Sequence, residues 1–408
     1  MPRANIPEPY PRTRTRTAWF VSFFALERNI VAVSATTFLL ALGENLWRRF
    51  IPRYLQSLGA PIAAIGLFGT AEDLLDGLYQ YPGGWIADRF GRRRALLLFI
   101  AVAAVGYGVF LLMNAWWLAF PALALVMVWD AMASPTLFAV VGDALPRSMR
   151  TMGFTVQSVL RRVPIMIAPI LGGLMIARFG IRSGIRSGLI VSIALVTVTL
   201  AIASRVNVPL ISDEGLTNIR GVWKKFPADL RWLLASDIFI RTCDAMVDVF
   251  LVIYATTVIH IGATQFGAVV AVQALTAILV YIPAAKIAER TGKKPFVIAT
   301  FVAFTAFPLA VVWSHDFLWL LGAFVIGGLR EVGEPARKAL IIDLAEPRLR
   351  ARVVGLYYFA RSVAIAPAAF IGGLLWRLSP VIPFYLAAMI GALGVVVFAL
   401  TVSEEQAG

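Results

Sequence analysis

Twelve apolar runs, each long enough to cross a lipid bilayer as a helix, follow one another along most of this 408-residue chain. A membrane-spanning helix needs about 20 mainly apolar residues, because its backbone polar groups must be paired within the segment itself. Spans 1 to 12 are predicted at 30–52, 62–86, 95–113, 117–140, 152–176, 188–204, 232–257, 263–286, 295–313, 317–340, 353–376 and 381–402. The sequence therefore predicts an all-α integral membrane protein.

Composition and charge exclude two other classes of protein. The chain is 60% hydrophobic and 15% charged, which leaves too little polar surface for a soluble domain. A net charge of +14 is typical of proteins that bind nucleic acid, but here Lys and Arg lie in short turns between apolar runs. They are better explained as topology determinants and as contacts to anionic lipid head groups. Because Cys243 is the only cysteine, an intrachain disulfide and a cysteine metal site are excluded. No cofactor is expected.

Polar segments divide the chain into five predicted parts. Residues 1–29 form a cytoplasmic tail that includes an interfacial helix at 18–26. The first six-helix bundle covers 30–204, a cytoplasmic linker covers 205–231, and the second six-helix bundle covers 232–402. A short cytoplasmic tail follows at 403–408. Most Lys and Arg residues outside the spans fall on the side that holds the N-terminus, which by the positive-inside rule is the cytoplasm. We therefore expect both termini in the cytoplasm. We also expect the protein to be a monomer in the plasma membrane. Arg178, Arg182 and Arg186, in the predicted connection between spans 5 and 6, are the exception and face outward.

The turn between spans 2 and 3 carries the most specific motif, GWIADRFGRRR from Gly84 to Arg94. Gly91 permits a sharp reversal of the chain, and Asp88 at the helix end can pair with arginines or cap a facing helix. The pattern G-x-x-x-D-R-x-G-R-R resembles the signature loop between helices 2 and 3 of the major facilitator superfamily. The matching residues are Gly84, Asp88, Arg89, Gly91, Arg92 and Arg93. The resemblance implies a role for this turn in gating.

The resemblance implies two six-helix bundles related by a parallel duplication. An internal repeat in the sequence supports it. The segment DRFGRR, from Asp88 to Arg93, recurs 201 residues later as ERTGKK, which contains Glu289, Arg290 and Gly292. Further pairs match at an offset of 200: Pro135 with Pro335, Asp143 with Asp343, Arg150 with Arg350, Arg161 with Arg361, and Gly172-Gly173 with Gly372-Gly373. Asp143 and Asp343 are expected to contact the two signature turns.

Charged residues are unevenly distributed among the spans. Spans 3, 6, 9 and 12 contain none, so they are expected at the periphery against lipid. An ionisable side chain at the bilayer centre costs about 2.5–3.5 kcal/mol on insertion scales, so the others should face protein or a water-filled path. The candidate residues of the substrate and proton pathway are Glu44, Arg48, Asp73, Asp76, Asp130, Arg161, Asp237, Arg241, Asp244, Arg330 and Arg361. The alternative for any one of these charges is a permanent structural ion pair within one half, above all for Arg49, Arg162, Glu331 and Glu334.

Spacing groups some of these charges. Asp237, Arg241, Asp244 and Asp248 follow one another at i, i+4, i+7 and i+11, which places them on one face of span 7. Glu72 and Asp76 are like charges one helical turn apart, an arrangement suited to carrying a proton.

Two residues at equivalent positions of the repeat, Asp130 in span 4 and Arg330 in span 10, have opposite charges. They are expected to pair across the cavity between the halves. The alternative is that Asp130 pairs within its own half, with Arg161 or Arg162.

The sequence thus predicts a secondary active transporter that moves a small polar or amphiphilic solute by alternating access, coupled to protons. The segment APILGG, from Ala168 to Gly173, is similar to the antiporter motif G-P-x-x-G-G, with Ala in the first position. This favours efflux by antiport, although span 4 has Asp130 near the place where the drug-efflux branch usually has an arginine. Alternatives are uptake of an organic anion by symport and export of a divalent metal. A membrane-embedded enzyme is disfavoured, because His260 and His315 fall in or next to outward loops and Cys243 has no histidine near it in sequence.

Overall fold

The computed structural model describes residues 28–133, 150–204, 226–344 and 350–402, together with Trp223. The predicted interfacial helix at 18–26, both tails, most of the linker and Asp143 lie outside the described residues. For Gly84, Asp88, Arg92, Arg161 and Glu289, the backbone alone is described.

The first half of the chain forms six spans. Span 1 consists of Arg28–Asn45 and Ile51–Ser57, which a 3₁₀ turn at Arg48–Phe50 connects. Span 2 is Ile62–Phe90, and span 3 is Arg92–Leu112. Span 4 comprises a 3₁₀ turn at Trp116–Leu118, the helix Ala119–Met127 and a π-helical segment at Val128–Ala133. Spans 5 and 6 follow as one helical stretch, Arg150–Ala203, which reverses at Gly180.

The second half repeats this layout. Span 7 consists of Ala228–Asp248 and Leu251–Thr257, span 8 is Ala263–Thr291, and span 9 is Lys294–Val312. Span 10 consists of Phe317–Leu329 and Glu334–Asp343, span 11 of Arg350–Ile365 and Pro367–Trp376, and span 12 is Ile382–Thr401.

Six helices of the described part are by themselves long and apolar enough to cross a membrane. They are 93–112, 162–203, 263–288, 294–312, 353–376 and 382–401. The first half of span 4 is a shorter apolar helix, and spans 1, 7 and 10 are broken near their middle, where their charged residues lie. The predicted all-α membrane fold is confirmed.

The duplication extends to the irregularities of the backbone. Spans 2 and 8 are both 29 residues long, and each contains an interior proline, Pro82 or Pro283. Each ends at a glycine of a signature turn, Gly91 or Gly292, with φ of 85° and 100°. A residue with a Cβ rarely adopts such φ values, so glycine is required at both turns. The π segment of span 4 likewise corresponds to the turn that interrupts span 10.

The connection between spans 5 and 6 is much shorter than predicted. The chain reverses at Gly180, with φ of 79°, and is helical again at once. Arg182 donates a hydrogen bond to the carbonyl of Ser57, and Arg186 donates to Oδ1 of Asn114 at 3.0 Å. These arginines thus tie the start of span 6 to the turns between spans 1 and 2 and between spans 3 and 4.

The uncharged spans 3 and 12 expose large apolar side chains on their outer faces. Leu112 is 76% exposed and Leu400 is 81% exposed. Their inner faces are packed, since Phe99 and Phe398 are almost fully buried. This one-sided exposure of apolar surface matches the predicted position against lipid.

The two halves meet tightly at the face of the molecule opposite the signature turns. A Cβ placed on Gly173 of span 5 would lie 2.8 Å from the Cα of Thr264, at the start of span 8. A Cβ on Gly373 of span 11 would lie 3.2 Å from the Cα of Ala63, at the start of span 2. Backbones this close leave no room for solvent, so the path between the halves is closed at this face.

Candidate functional site

Arg48, next to the break in span 1, joins three carboxylates of the N-terminal half. Its guanidinium lies 2.6 Å from Glu44 Oε1 and 3.1 Å from Asp130 Oδ2, and its Nε donates to Glu72 at 3.0 Å. Glu44 also accepts a hydrogen bond at 2.8 Å from the indole of Trp129. Spans 1, 2 and 4 therefore converge on one arginine.

Two adjoining cavities surround Arg48. The larger one, about 250 Å³, is lined by Glu44, Arg48, Arg49, Glu72, Asp130 and Asp248, and by apolar side chains of both halves. The smaller one, about 170 Å³, is lined by Arg48, Glu72, Asp73, Asp76 and Asp248 among others. The lining residues Arg48, Glu72, Met127, Asp248 and Val249 belong to both. We call the two cavities together the acidic chamber.

Asp73 differs from the other carboxylates of the acidic chamber. Glu44, Glu72 and Asp130 contact Arg48, and Asp248 contacts Arg49. The charged groups that act most strongly on Asp73 are carboxylates: Glu72 and Asp76 on span 2, and Asp244 and Asp248 on span 7. An ionised Asp73 is thus repelled by its neighbours and compensated by none of them.

The C-terminal half holds a second, separate group of charges. Asp237 is fully buried and accepts from Arg337 at 2.6 Å, from the hydroxyl of Tyr357 at 3.1 Å and from Arg361 at 3.3 Å. Glu334 contacts Arg337 at 2.8 Å and also contacts Arg241. We call Asp237, Arg241, Glu334, Arg337 and Arg361 the arginine cluster. None of its members lines the acidic chamber.

The pairing predicted between Asp130 and Arg330 is absent from this conformation. Asp130 contacts Arg48, and Arg330 contacts Asp244 of span 7. Each ion pair therefore joins the first and fourth spans of one half, with the positive charge on span 1 in one half and on span 10 in the other. The alternative partner Arg162 is also excluded here, since it contacts Glu331; the side chain of Arg161 lies outside the described residues.

Among the described residues, two ion pairs join the halves. Arg49 lies 3.3 Å from Asp248 Oδ1, and Arg162 lies 2.8 Å from Glu331 Oε2. The guanidinium of Arg162 also lies 4.7 Å from the ring centroid of Tyr281 in span 8. Of the residues expected to pair within one half, Glu334 does so with Arg241 and Arg337, whereas Arg49, Arg162 and Glu331 pair across the interface between the halves.

The four charges predicted on one face of span 7 have different partners. Asp237 and Arg241 belong to the arginine cluster, Asp244 contacts Arg330, and Asp248 reaches across to Arg49. Span 7 thus connects the arginine cluster with the acidic chamber.

The signature turns contact the ends of neighbouring spans. Arg93 donates to the carbonyl of Ser204 at the end of span 6, while Lys293 contacts Asp343 at the end of span 10. The contact of Asp343 agrees with the expectation from the sequence. Arg89 and Arg290 are exposed.

Sequence reasoning missed several residues of these sites. Arg337, Tyr357 and Trp129 carry central contacts, yet none of them was a candidate. Arg337 lies three residues after Glu334, a spacing that places oppositely charged side chains together on a helix. No comparable signal identifies Trp129 or Tyr357, because their partners lie on other spans.

The sequence matches the Major Facilitator Superfamily over residues 33–236 and again over residues 233–408. The chain belongs to this family. The two matches correspond to the two halves of the internal duplication. Membership of this family identifies the protein as a membrane transporter and not an enzyme.

Relatives of this transporter share its length at low identity. An uncharacterised MFS-type transporter of Methanocaldococcus jannaschii is 20% identical over 370 residues, which cover 88% of this chain and 91% of the relative. The bacillibactin exporter of Bacillus subtilis is 22% identical over 357 residues, covering 83% and 87%. A crystal structure of a POT family transporter in complex with 5-aminolevulinic acid has a TM-score of 0.75 at 15% identity, covering 91% of this chain and 95% of that one. This last likeness concerns the fold alone.

Proposed function

We propose that this transporter is an antiporter that exports its substrate in exchange for protons, and that Asp73 carries the proton. The observation that supports this most directly is the position of Asp73. It lines the smaller cavity of the acidic chamber together with Glu72, Asp76 and Asp248, and it forms no ion pair with Arg48 of the same cavity or with any other described residue. A proton on Asp73 removes the repulsion, and the release of that proton restores it.

The other carboxylates considered for this role are less suited to it. Glu44 and Asp130 contact Arg48, and Asp244 contacts Arg330, so each of the three has a guanidinium in contact in this conformation. Asp76 lies one turn after Asp73 and is influenced by Arg361 and Arg48 as well as by Asp130 and Glu72. We therefore place Asp73 first and Asp76 second in the proton path.

Export is supported by two weaker observations. The bacillibactin exporter resembles this chain over most of its length, and the segment from Ala168 to Gly173 is similar to the antiporter motif. The close approach of the halves at Gly173 lies in this segment, so the motif forms part of the closed face. With both termini in the cytoplasm, as the positive-inside rule predicts, this closed face is the outer one.

The proposal is tested with everted membrane vesicles that hold a respiration-driven pH gradient. Compounds of each charge class, cations, anions, zwitterions and neutral molecules, are added while a fluorescent amine reports the gradient. At least one class should dissipate the gradient with the natural protein and fail to do so with Asp73→Asn. The matched control is Asp316→Asn, outside the chamber, where asparagine caps the helix of span 10 as well as aspartate does. Gradient dissipation by Asp73→Asn at the natural rate would refute the role of Asp73, and no response to any class would refute antiport.

A further inference from the structure

The six connections between spans at the face opposite the signature turns all lie within the described residues. They contain a single carboxylate, Asp316, which caps span 10 in the second half. Their arginines are Arg178, Arg182, Arg186 and Arg377, and the first three follow one another around the reversal between spans 5 and 6. We call Arg178, Arg182 and Arg186 the reversal arginines. Topology does not account for them, because the positive-inside rule assigns the excess of Lys and Arg to the signature face.

The positive charge of the reversal arginines is not compensated by the described residues. Arg182 donates a hydrogen bond to the carbonyl of Ser57, and Arg186 donates to the amide oxygen of Asn114 at 3.0 Å, so both acceptors are uncharged. Arg178 and Arg182 are exposed, and none of the three arginines forms an ion pair within the described part of the chain. Each guanidinium has five N–H donors, so these contacts leave donors free for a partner outside the chain.

A short repeat, IRSGIRSG at 181–188, determines the direction of two of these arginines. Residues four apart lie on one face of a helix, so Arg182 and Arg186 share one face of span 6 and the glycines share another. A Cβ on Gly184 would lie 2.6 Å from the Cα of Ile176 in span 5. The glycine face is therefore packed closely against span 5, and the arginines point away from this contact.

Exposed tryptophans mark the depth of the reversal arginines in the membrane. Trp117, in the turn between spans 3 and 4, and Trp313 and Trp319, at the turn between spans 9 and 10, are exposed at this face. Tryptophan is enriched at head-group depth, where its ring meets lipid and its N–H meets water. Arg186 contacts Asn114, three residues before Trp117. The reversal arginines therefore lie close to the level of the lipid phosphates.

Exposed apolar side chains continue from the arginines toward the middle of the bilayer. On span 5, Leu174 lies one helical turn before Arg178, and on span 6, Ile190 lies one turn after Arg186. Leu174, Ile190 and Phe179, which follows Arg178, are 49%, 57% and 58% exposed. Two adjacent helices thus present positive charge at head-group depth above an apolar surface. This arrangement matches the polarity of a phospholipid with an anionic head group.

We propose that the reversal arginines and the three apolar side chains beneath them bind an anionic phospholipid. Its phosphate oxygens accept hydrogen bonds from the guanidiniums, whose planar donors suit a phosphate, and an acyl chain lies along spans 5 and 6. A lipid with net negative charge is favoured over a zwitterionic lipid, because the positive group of a zwitterionic head group would be repelled by the arginines. This binding is independent of the direction of transport and of the role of Asp73.

The bound lipid adjoins the point where four spans of the N-terminal half end. Arg182 contacts the end of span 1 and Arg186 contacts the turn after span 3, while both belong to the start of span 6, directly after span 5. The lipid therefore neutralises charges that also hold the closed face together.

The test uses p-benzoylphenylalanine, which forms crosslinks with nearby C–H bonds under ultraviolet light. It replaces Phe179 in the full-length protein, which is reconstituted into liposomes of equal parts phosphatidylglycerol and phosphatidylcholine with the same acyl chains. Mass spectrometry of the crosslinked protein measures the ratio of the two lipids. The matched control places the same amino acid at Leu378, which is exposed and follows Arg377 at the end of span 11 as Phe179 follows Arg178 at the end of span 5.

At position 179 we expect phosphatidylglycerol to be crosslinked about tenfold more often than phosphatidylcholine, whereas position 378, beside a single arginine, should show a smaller preference. Arg178→Gln should reduce the preference at position 179 about fivefold, and Arg178→Gln with Arg182→Gln should abolish it. Arg377→Gln should leave it unchanged. Arg178 forms no hydrogen bond or ion pair within the described part of the chain, so Arg178→Gln should melt as the natural protein does, and its result stands even where the double variant folds poorly.

Three outcomes would overturn the proposal. Equal lipid ratios at positions 179 and 378 would show that the reversal arginines select no lipid. A preference that survives Arg178→Gln, or that Arg377→Gln weakens as much, would reduce it to the general charge of this face. A loss of phosphatidylglycerol crosslinking on addition of inorganic phosphate, but not of sodium chloride at the same ionic strength, would show that the arginines bind a free anion instead.

Discussion

At the scale of single residues, Arg48 is the centre of the N-terminal half. The sequence indicates that Glu44 and Arg48 lie one helical turn apart, and their contact follows from that spacing. The contacts of Arg48 with Glu72 and Asp130 are not predictable in this way, because they depend on how spans 1, 2 and 4 pack. For the same reason the sequence identified the charged residues of the chamber by their depth but did not distinguish Asp73 from its paired neighbours.

Replacing Arg48 should therefore destabilise the fold. Arg48→Gln leaves Glu44, Glu72 and Asp130 close together without their shared cation, which by comparison with other broken buried ion pairs costs about 3–5 kcal/mol. Unfolding in mixed micelles with rising denaturing detergent measures the change in the free energy of unfolding. Arg231→Gln, at an exposed position at the start of span 7, should leave it unchanged. A loss no larger than that of the control would show that the three carboxylates do not need Arg48.

At the scale of the spans, ion pairs join the first and fourth spans of each half, and this determines which charge reversals can be rescued. Asp244→Arg and Arg330→Asp should each impair folding and transport, because each leaves two like charges in contact. The double variant, Asp244→Arg with Arg330→Asp, should recover part of both, as measured by melting temperature and gradient dissipation. The double variant Asp130→Arg with Arg330→Asp should recover neither. Recovery by Asp130→Arg with Arg330→Asp alone would instead support the pairing of these two residues across the cavity that the sequence predicted.

The close approach of Gly173 in span 5 to the start of span 8 gives a second prediction at this scale. A side chain at position 173 meets the backbone of Thr264 and Ala263 within 3 Å, so Gly173→Val should hinder closure of the face opposite the signature turns. Ala60, which is buried near this face, is replaced by cysteine as a reporter, and Cys243 is buried and should react slowly. Maleimide labelling of Ala60→Cys should become several-fold faster with Gly173→Val. Gly322→Val, where a Cβ meets nothing within 4 Å, should not change it. Equal rates in the two valine variants would show that the contact at Gly173 does not control closure.

For the molecule as a whole, the sequence predicts the architecture well and the contacts between halves poorly. The sequence predicts span length, the repeat and the glycines of the signature turns directly, because these are local or periodic features. The reversal at Gly180 was missed, because the arginines after it suggested a polar loop, whereas their side chains reach neighbouring turns from within a helix. Pairs between halves, such as Arg162 with Glu331, depend on the conformation of the transporter and have no signal in one sequence.

The signature turns connect the last prediction to the conformational cycle. In this structure the halves are closed at the face opposite these turns, so alternating access requires a second conformation in which the signature face closes. Asp88 and Glu289 occupy equivalent positions at that face, and the family resemblance assigns Asp88 a gating contact. Asp88→Asn should weaken closure of the signature face and so favour the conformation described here. We expect this variant to fold and melt normally and to lose nearly all gradient dissipation. When Asp88→Asn is combined with Ala60→Cys, the cysteine should be labelled more slowly than in the protein that carries Ala60→Cys alone. Glu289→Gln is the matched change in the other half. Normal transport by Asp88→Asn would mean that closure of the signature face does not depend on this carboxylate, whereas faster labelling would mean that Asp88 stabilises the opposite conformation.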